Sequence, residues 1–175
     1  MYVEHFTTSY SINNIGMGLV SEAIATELGY LSHGEGESRV RLTLQTLLTV
    51  WPRESHSGFM VHFTNRNWDA LSEYSTIDTT ELVLGALFAG NYFGGEILEM
   101  SQQLLQNVKW SDAIKAADNP RIYPKVNPNT GEFKGSIAPY NEYYLVAYLA
   151  NMTSSFNSKV SKKFTNFIDT LRISI

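Results

Sequence analysis

The sequence predicts an all-α domain, and three observations predict it. Apolar residues recur at three- and four-residue steps through most of the 175 residues, which is the period of a helix with one buried face. The interruptions carry Gly and Pro, the residues that end helices. Strict alternation, the mark of a strand, is confined to short pieces. Six helices joined by connections of unequal length account for the pattern.

The first helix is expected from about Asn13 to Leu28, with Ile15, Leu19 and Ala23 on one row, Val20, Ile24 and Leu28 beside it, and Gly29 at its end. His33 to Glu37 reads as a loop rich in Gly and Glu. The second helix carries Val40, Leu44, Leu47, Leu48 and Trp51 inward and stops at Pro52. From Arg53 to Tyr74 the helical period is lost, and Gly58 to Phe63 reads as a short extended piece. Ser75 opens the third helix, because Ser75-Thr76-Ile77-Asp78 has the form of an N-terminal cap. Its body, Leu82 to Ala89, is apolar on nearly every side and is expected to be buried all round.

Gly90, Gly94 and Gly95 mark the turn into a fourth helix with Ile97, Met100, Leu104, Leu105 and Val108 inward. Ser111 to Ala117 adds a short helical turn. Asp118 to Ala138 is the least regular stretch, and Asn127-Pro128-Asn129-Thr130-Gly131 predicts a small hairpin there. The fifth helix is expected from Asn141 to Ala150. The sixth has Phe156, Val160, Phe164, Phe167, Ile168 and Leu171 on one face, with Lys159, Lys162 and Lys163 off it. No fixed period of helical repeats is present. The loops before helices three and five are long and aromatic, whereas the connections within pairs are short. In a ring of helical hairpins such loops gather on one face and wall a cleft.

Composition excludes several function classes. The chain is 43% hydrophobic and 17% charged, enough apolar material for one domain over 1–175 and too little charge for disorder. A net charge of -4 gives no basic field for nucleic acid or anionic lipid. No apolar run reaches the ~18 residues of a membrane span, and Met1 to Tyr10 lacks the apolar stretch of a secretory leader. With no cysteine there is neither a disulfide framework nor thiolate chemistry. His56 and His62 lie near Glu73, and His33 near Glu35 and Glu37, without the spacing of a metal site. No metal and no cofactor are predicted.

Two stretches carry candidate chemistry. In Ser72-Glu73-Tyr74-Ser75-Thr76-Ile77-Asp78, two carboxylates flank the start of a buried helix. Hydrolysing a glycosidic bond needs one carboxyl held neutral as acid and another ionised as base or nucleophile. Burial and hydrogen bonding at such a helix start can separate two carboxyl pKa values. The plain alternative is that Asp78 is a helix-start acid favoured by the macrodipole, paired with Glu81 in a second capping box. In Pro139-Tyr140-Asn141-Glu142-Tyr143-Tyr144, Glu142 emerges among three Tyr, an acid among rings that can stack on sugars. Its plain alternative is a first-turn acid beside core Tyr residues with wet hydroxyls.

Four segments in register resemble a known family. They are Thr8-Ser9-Tyr10-Ser11-Ile12-Asn13-Asn14-Ile15-Gly16, Gly58-Phe59-Met60-Val61-His62-Phe63, Ser72 to Thr79, and Tyr140 to Tyr144. Together with Ala89-Gly90-Asn91-Tyr92-Phe93 closing the third helix, they are similar to the glucoamylase-like domain of bacterial endo-β-1,2-glucanases and of cyclic β-1,2-glucan synthases. The resemblance covers 8–149. It implies an (α/α)6 toroid with a sugar cleft at the loop end, and cofactor-free hydrolysis of a β-glucan. The acids would be Glu142 as general acid, with Asp78 and Glu73 holding substrate or water. Arg66, Trp68, Tyr74, Asn141 and Tyr144 are the candidate subsite residues. Relatives in that family often act in the periplasm or outside the cell.

Family domains are much longer and close the ring with about as many helices again. Residues 151–175 have no counterpart in the family, so the expectation is an incomplete ring of about six helices. Such a half ring is either a truncated reading frame or pairs with another chain, for which a homodimer through its open side is one arrangement. Two other classes stand beside the hydrolase: a carbohydrate-binding module without turnover, and an interaction protein that exposes an apolar seam.

Overall fold

The computed structural model describes residues 9–115, 121–138 and 141–153. Among these there are five α-helices, α1 (Ile12–Glu27), α2 (His33–Thr49), α3 (Thr76–Phe93), α4 (Gly95–Gln106) and α5 (Tyr144–Met152). A 3-10 turn spans Trp110–Ala113. Five two-residue strands accompany them: β1 (Tyr10–Ser11), β2 (Phe63–Thr64), β3 (Tyr74–Ser75), β4 (Lys125–Val126) and β5 (Phe133–Lys134). The sixth helix expected over Phe156 to Leu171 lies outside the described residues.

Helix α1 ends as its sequence predicts. Gly29 adopts φ 77°, and the Gly29 and Tyr30 amides return to the carbonyls of Thr26 and Ala25, which closes the last turn as a Schellman motif. The expected loop at His33 to Glu37 is instead the first turn of α2. Ser32 and Glu35 form a reciprocal capping box that satisfies the free amides there. Gly36 belongs to that turn because a Cβ at this position would lie 2.1 Å from the Thr26 hydroxyl. Helix α5 begins three residues later than expected, since the Asn141 side chain and carbonyl accept the Tyr143 and Tyr144 amides in a preceding turn.

Side-chain pairs fix the helix directions. Glu22 meets Arg39 at 3.5 Å and Thr26 meets Gly36, so α1 and α2 are antiparallel. Gly90 faces Ser101, which folds α4 back on α3, and Arg41 pairs with Glu96 to join the two hairpins. Helices α1 and α3 run in the same direction. Gly16 and Gly85 meet where they cross, and the Tyr92 hydroxyl donates to Glu27 near their far ends.

The core is centred on α3, where Leu82, Val83, Ala86 and Ala89 are fully buried against Ile12, Leu19, Val40, Leu44 and Ile97. Burial all round does not extend to Phe88, which is 49% exposed. The extended piece at Gly58 to Phe63 is present. Met60 bridges Arg53, Val61 bridges Tyr74, and Phe63 lies in β2 opposite Ser11 of β1. The Asn127–Gly131 turn joins β4 and β5 as the predicted hairpin, and β4 also pairs with β3. Among the described residues no helix is long and apolar enough to cross a membrane.

Candidate active site

The start of α3 is polar yet buried, because every side chain in it has a partner. Ser75 is the N-cap; its hydroxyl accepts the Asp78 amide at 3.2 Å and donates to Asp78 Oδ2. The Thr79 hydroxyl donates to the Ser75 carbonyl at 2.6 Å and accepts the Met60 amide at 3.0 Å. The Thr76 hydroxyl donates to the carbonyls of Tyr123 and Pro124 at 2.8 and 3.1 Å. The run Ser75 to Thr80 therefore anchors the helix start to two separate loops and holds Asp78 in one orientation, 9% exposed.

Around Asp78 the fold gathers more acids than the two stretches suggested. His62 lies between two of them, with Nδ1 3.7 Å from Glu73 Oε1 and Nε2 3.7 Å from Asp78 Oδ1. These separations suit ion pairing and exceed a hydrogen bond. The ring is held by stacking on Phe63, centroid to centroid 3.8 Å. One turn into α3, Glu81 takes a hydrogen bond from the Asn13 side chain of α1, and Asn13 Oδ1 in turn accepts the Ser11 hydroxyl at 2.7 Å.

Burial pushes the Glu81 carboxyl above its ordinary value. The charges of Asp78 and Glu142 add to this, and the Asn13 hydrogen bond opposes it. Tyr143, half-buried, is pushed up to about 12 by burial and then by Asp78, Glu142, Glu73 and Glu81. One phenol thus senses four carboxylates from the segment before α3, from α3 itself and from the start of α5. The N-terminal ends of α1, α3 and α5 all contribute to this cluster, and the positive ends of helix dipoles favour anionic groups there.

Glu73, Asp78 and Glu142 are thus brought together. Asn141 and Tyr144 flank Glu142 in the turn that starts α5, with Tyr144 against Tyr148 at 6.4 Å. Tyr74 and Trp68 line other pockets. Tyr74 lies between Glu73 and Ser75 on an extended segment, where successive side chains alternate in direction. It lines a polar pocket of about 330 Å³ with Arg53, Glu54 and the Pro128–Gly131 turn. Trp68 packs on Tyr10 and Trp51, at centroid distances of 6.4 and 5.9 Å. Arg66 is exposed in the same loop.

Four contributors were not among the candidate site residues: Glu81, read as a capping partner of Asp78, Tyr143, read as one of three rings beside Glu142, His62, noted near Glu73, and Asn13. The available signal was the i, i+3 spacing of Asp78 and Glu81, which sets both on one face of α3.

No protein-family model and no curated protein matches the sequence. Solved structures match in fold. A β-1,2-glucanase from Parabacteroides distasonis is 20% identical with a TM-score of 0.72, over 87% of this chain and 24% of that one. An endo-β-1,2-glucanase from Chitinophaga pinensis, in complex with sophorotriose and glucose, is 19% identical with a TM-score of 0.73, over 91% and 41%. A candidate glucoamylase from Bacteroides uniformis gives 19% identity and a TM-score of 0.73, over 89% and 41%. The chain has the helical fold of these proteins and spans between a quarter and two fifths of their length, an incomplete ring of helical hairpins.

Proposed function

We propose that this chain supplies the acid-bearing part of a glycoside hydrolase ring acting on a β-glucan, with β-1,2-linked glucan the favoured substrate. The observation that carries the reading is the set of four carboxylates around Tyr143, built at one end of a fold shared with two β-1,2-glucanases. In hydrolysis the bond from the anomeric carbon to the bridging oxygen breaks. The departing oxygen takes a proton from one carboxyl, and a water oxygen, losing its proton to another, bonds the anomeric carbon.

Glu142, exposed at the edge of the cluster, is assigned as the proton donor, and Asp78 and Glu73 hold substrate or water. Glu81 joins them as the carboxyl whose surroundings favour the neutral form. The test is release of reducing ends from a panel of glucans, β-1,2-linked included, by the purified chain and its Glu142→Gln variant. Products from wild type alone support the assignment; products from both remove Glu142 as the acid.

The partial coverage of the solved structures favours a second reading, saccharide binding without turnover. Calorimetric affinity for glucan from a folded protein that releases no reducing ends selects it.

A further inference from the structure

His62 has no part in the assignment above, yet its backbone and its ring are both fixed among the acids. Its amide donates to the Glu73 carbonyl at 2.9 Å, and its carbonyl accepts the Ile12 amide at 3.1 Å. The start of α1 is thereby tied through His62 to the segment that carries Glu73. The ring lies against Phe63 with the two planes 29° apart, and the side chain is 25% exposed.

The two ring nitrogens face different carboxylates, Nδ1 toward Glu73 Oε1 and Nε2 toward Asp78 Oδ1. A neutral imidazole has one N–H, so at one end it would set a lone pair against a carboxylate oxygen. The imidazolium has an N–H at both ends and suits both gaps. The second oxygen of Asp78 is already engaged by the Ser75 hydroxyl, which leaves Oδ1 to the ring. Among the described residues, His62 is the only basic side chain in an ion pair with Glu73, Asp78, Glu81 or Glu142. The start of α1, Ile12 to Gly16, has no charged residue, and the start of α5 adds Glu142 and Tyr143 to the same cluster.

We infer that His62 is a positioning residue, whose imidazolium holds Glu73 and Asp78 as a fixed, ionised pair and so keeps the transferable proton on another carboxyl. Four crowded carboxylates raise one another's proton affinity and share protons among themselves. One cation between two of them breaks that symmetry, because an opposite charge within about 4–6 Å favours the ionised form. Glu81, whose carboxyl is raised, lies outside the pair and agrees with this division. The catalytic consequence rests on the hydrolase reading above; the charge arrangement does not.

Carboxyl carbon resonances of the whole chain test the arrangement without substrate. In wild type, Glu73 and Asp78 should each show a second inflection at neutral pH, where histidine changes charge. Glu132, paired with Lys134, should show none. In His62→Gln that inflection should vanish, and both carboxyls should take up protons at a pH higher by about one unit. His62→Lys should recover part of the change, since it restores the charge. His56→Gln, at the exposed histidine that pairs with Asp112, should leave both resonances alone. With β-1,2-glucan as substrate, the acid limb of kcat/KM should move to higher pH in His62→Gln, whereas a merely structural loss lowers the whole profile evenly.

Wild-type Glu73 and Asp78 resonances without the neutral inflection overturn the inference, and these curves decide the point even where the variant fails to fold. So does a His62→Gln titration that coincides with that of wild type. The expected carboxyl curves beside a glucan panel without products remove the hydrolase reading alone. Products beside carboxyls that ignore His62 remove this inference alone.

Discussion

Gly16 of α1 and Gly85 of α3 meet so closely that a Cβ on Gly85 would lie 2.3 Å from the Gly16 carbonyl oxygen. The crossing of the two helices is set by backbone against backbone. Because Asn13 stands one turn before Gly16 and Glu81 one turn before Gly85, the same contact delivers Asn13 to Glu81 at the acid cluster.

Gly85→Ala is expected to destabilise the fold by about 2 kcal/mol or more, as overpacking does, although Ala is the better helix former by roughly 1 kcal/mol. Gly18, in the same helix as Gly16, has nothing within 4 Å of a built Cβ. Gly18→Ala should therefore stabilise by about 0.5–1 kcal/mol. Urea denaturation of the pair gives opposite signs if the crossing is as described, and equal signs if it is not.

Two helix caps separate stability from function. Ser32→Ala at α2 and Ser75→Ala at α3 should each cost about 1 kcal/mol. Ser75 also gives its proton to Asp78, so only the Ser75 variant should lose glucan turnover beyond what its lower stability explains. Melting curves and initial rates on both variants decide the point.

Glu81 makes a pH prediction with a definite sign. Its folded pKa is raised, so its contribution to stability is complete below the ordinary value of 4.5 and is lost as pH rises through the folded one. Glu81→Gln should be more stable than wild type at neutral pH, converge with it below about pH 4, and show reduced turnover. Thermal melts at three pH values suffice; a destabilised Gln variant at neutral pH contradicts the crowding of Glu81 by Asp78 and Glu142.

Tyr143 acts at the alkaline end. Its pKa of about 12 stands above the ordinary 10.0, so the folded state holds the proton where the unfolded chain has lost it. Stability should fall across that interval in wild type and fall less in Tyr143→Phe. A phenolate absorbance titration of the native protein should show a late-ionising tyrosine, beyond the also raised Tyr92, that the Phe variant lacks.

The sequence made most of the helical frame legible, because caps and stops are local. Ser75 announced α3 through its own neighbours, and Gly29 announced the end of α1. The start of α2 was missed for a physical reason: Gly34 and Gly36 resemble loop glycines, whereas Gly36 is there to let Thr26 approach. At the site, Glu73, Asp78 and Glu142 were legible as acids beside helix starts. Glu81 and Tyr143 were not, since each owes its environment to groups from other helices. Tyr74 and Trp68 were grouped with the acids by nearness in sequence, and strand alternation and a left-handed turn carry them to other pockets.

The Thr76 hydroxyl, bonded to carbonyls 47 and 48 residues further along the chain, also sets an order of assembly. The hairpins α1–α2 and α3–α4 close through short connections, whereas the clamp on Thr76 must wait for the closure of a far longer stretch of chain. Contacts of large sequence separation form slowly. The acid-bearing end therefore depends on this long closure as well as on the packing of the two hairpins. A protein with full helical dichroism can still lack its cluster of acids, and amide exchange at Thr76 and Asp78 reports that cluster more directly than any measure of helix content.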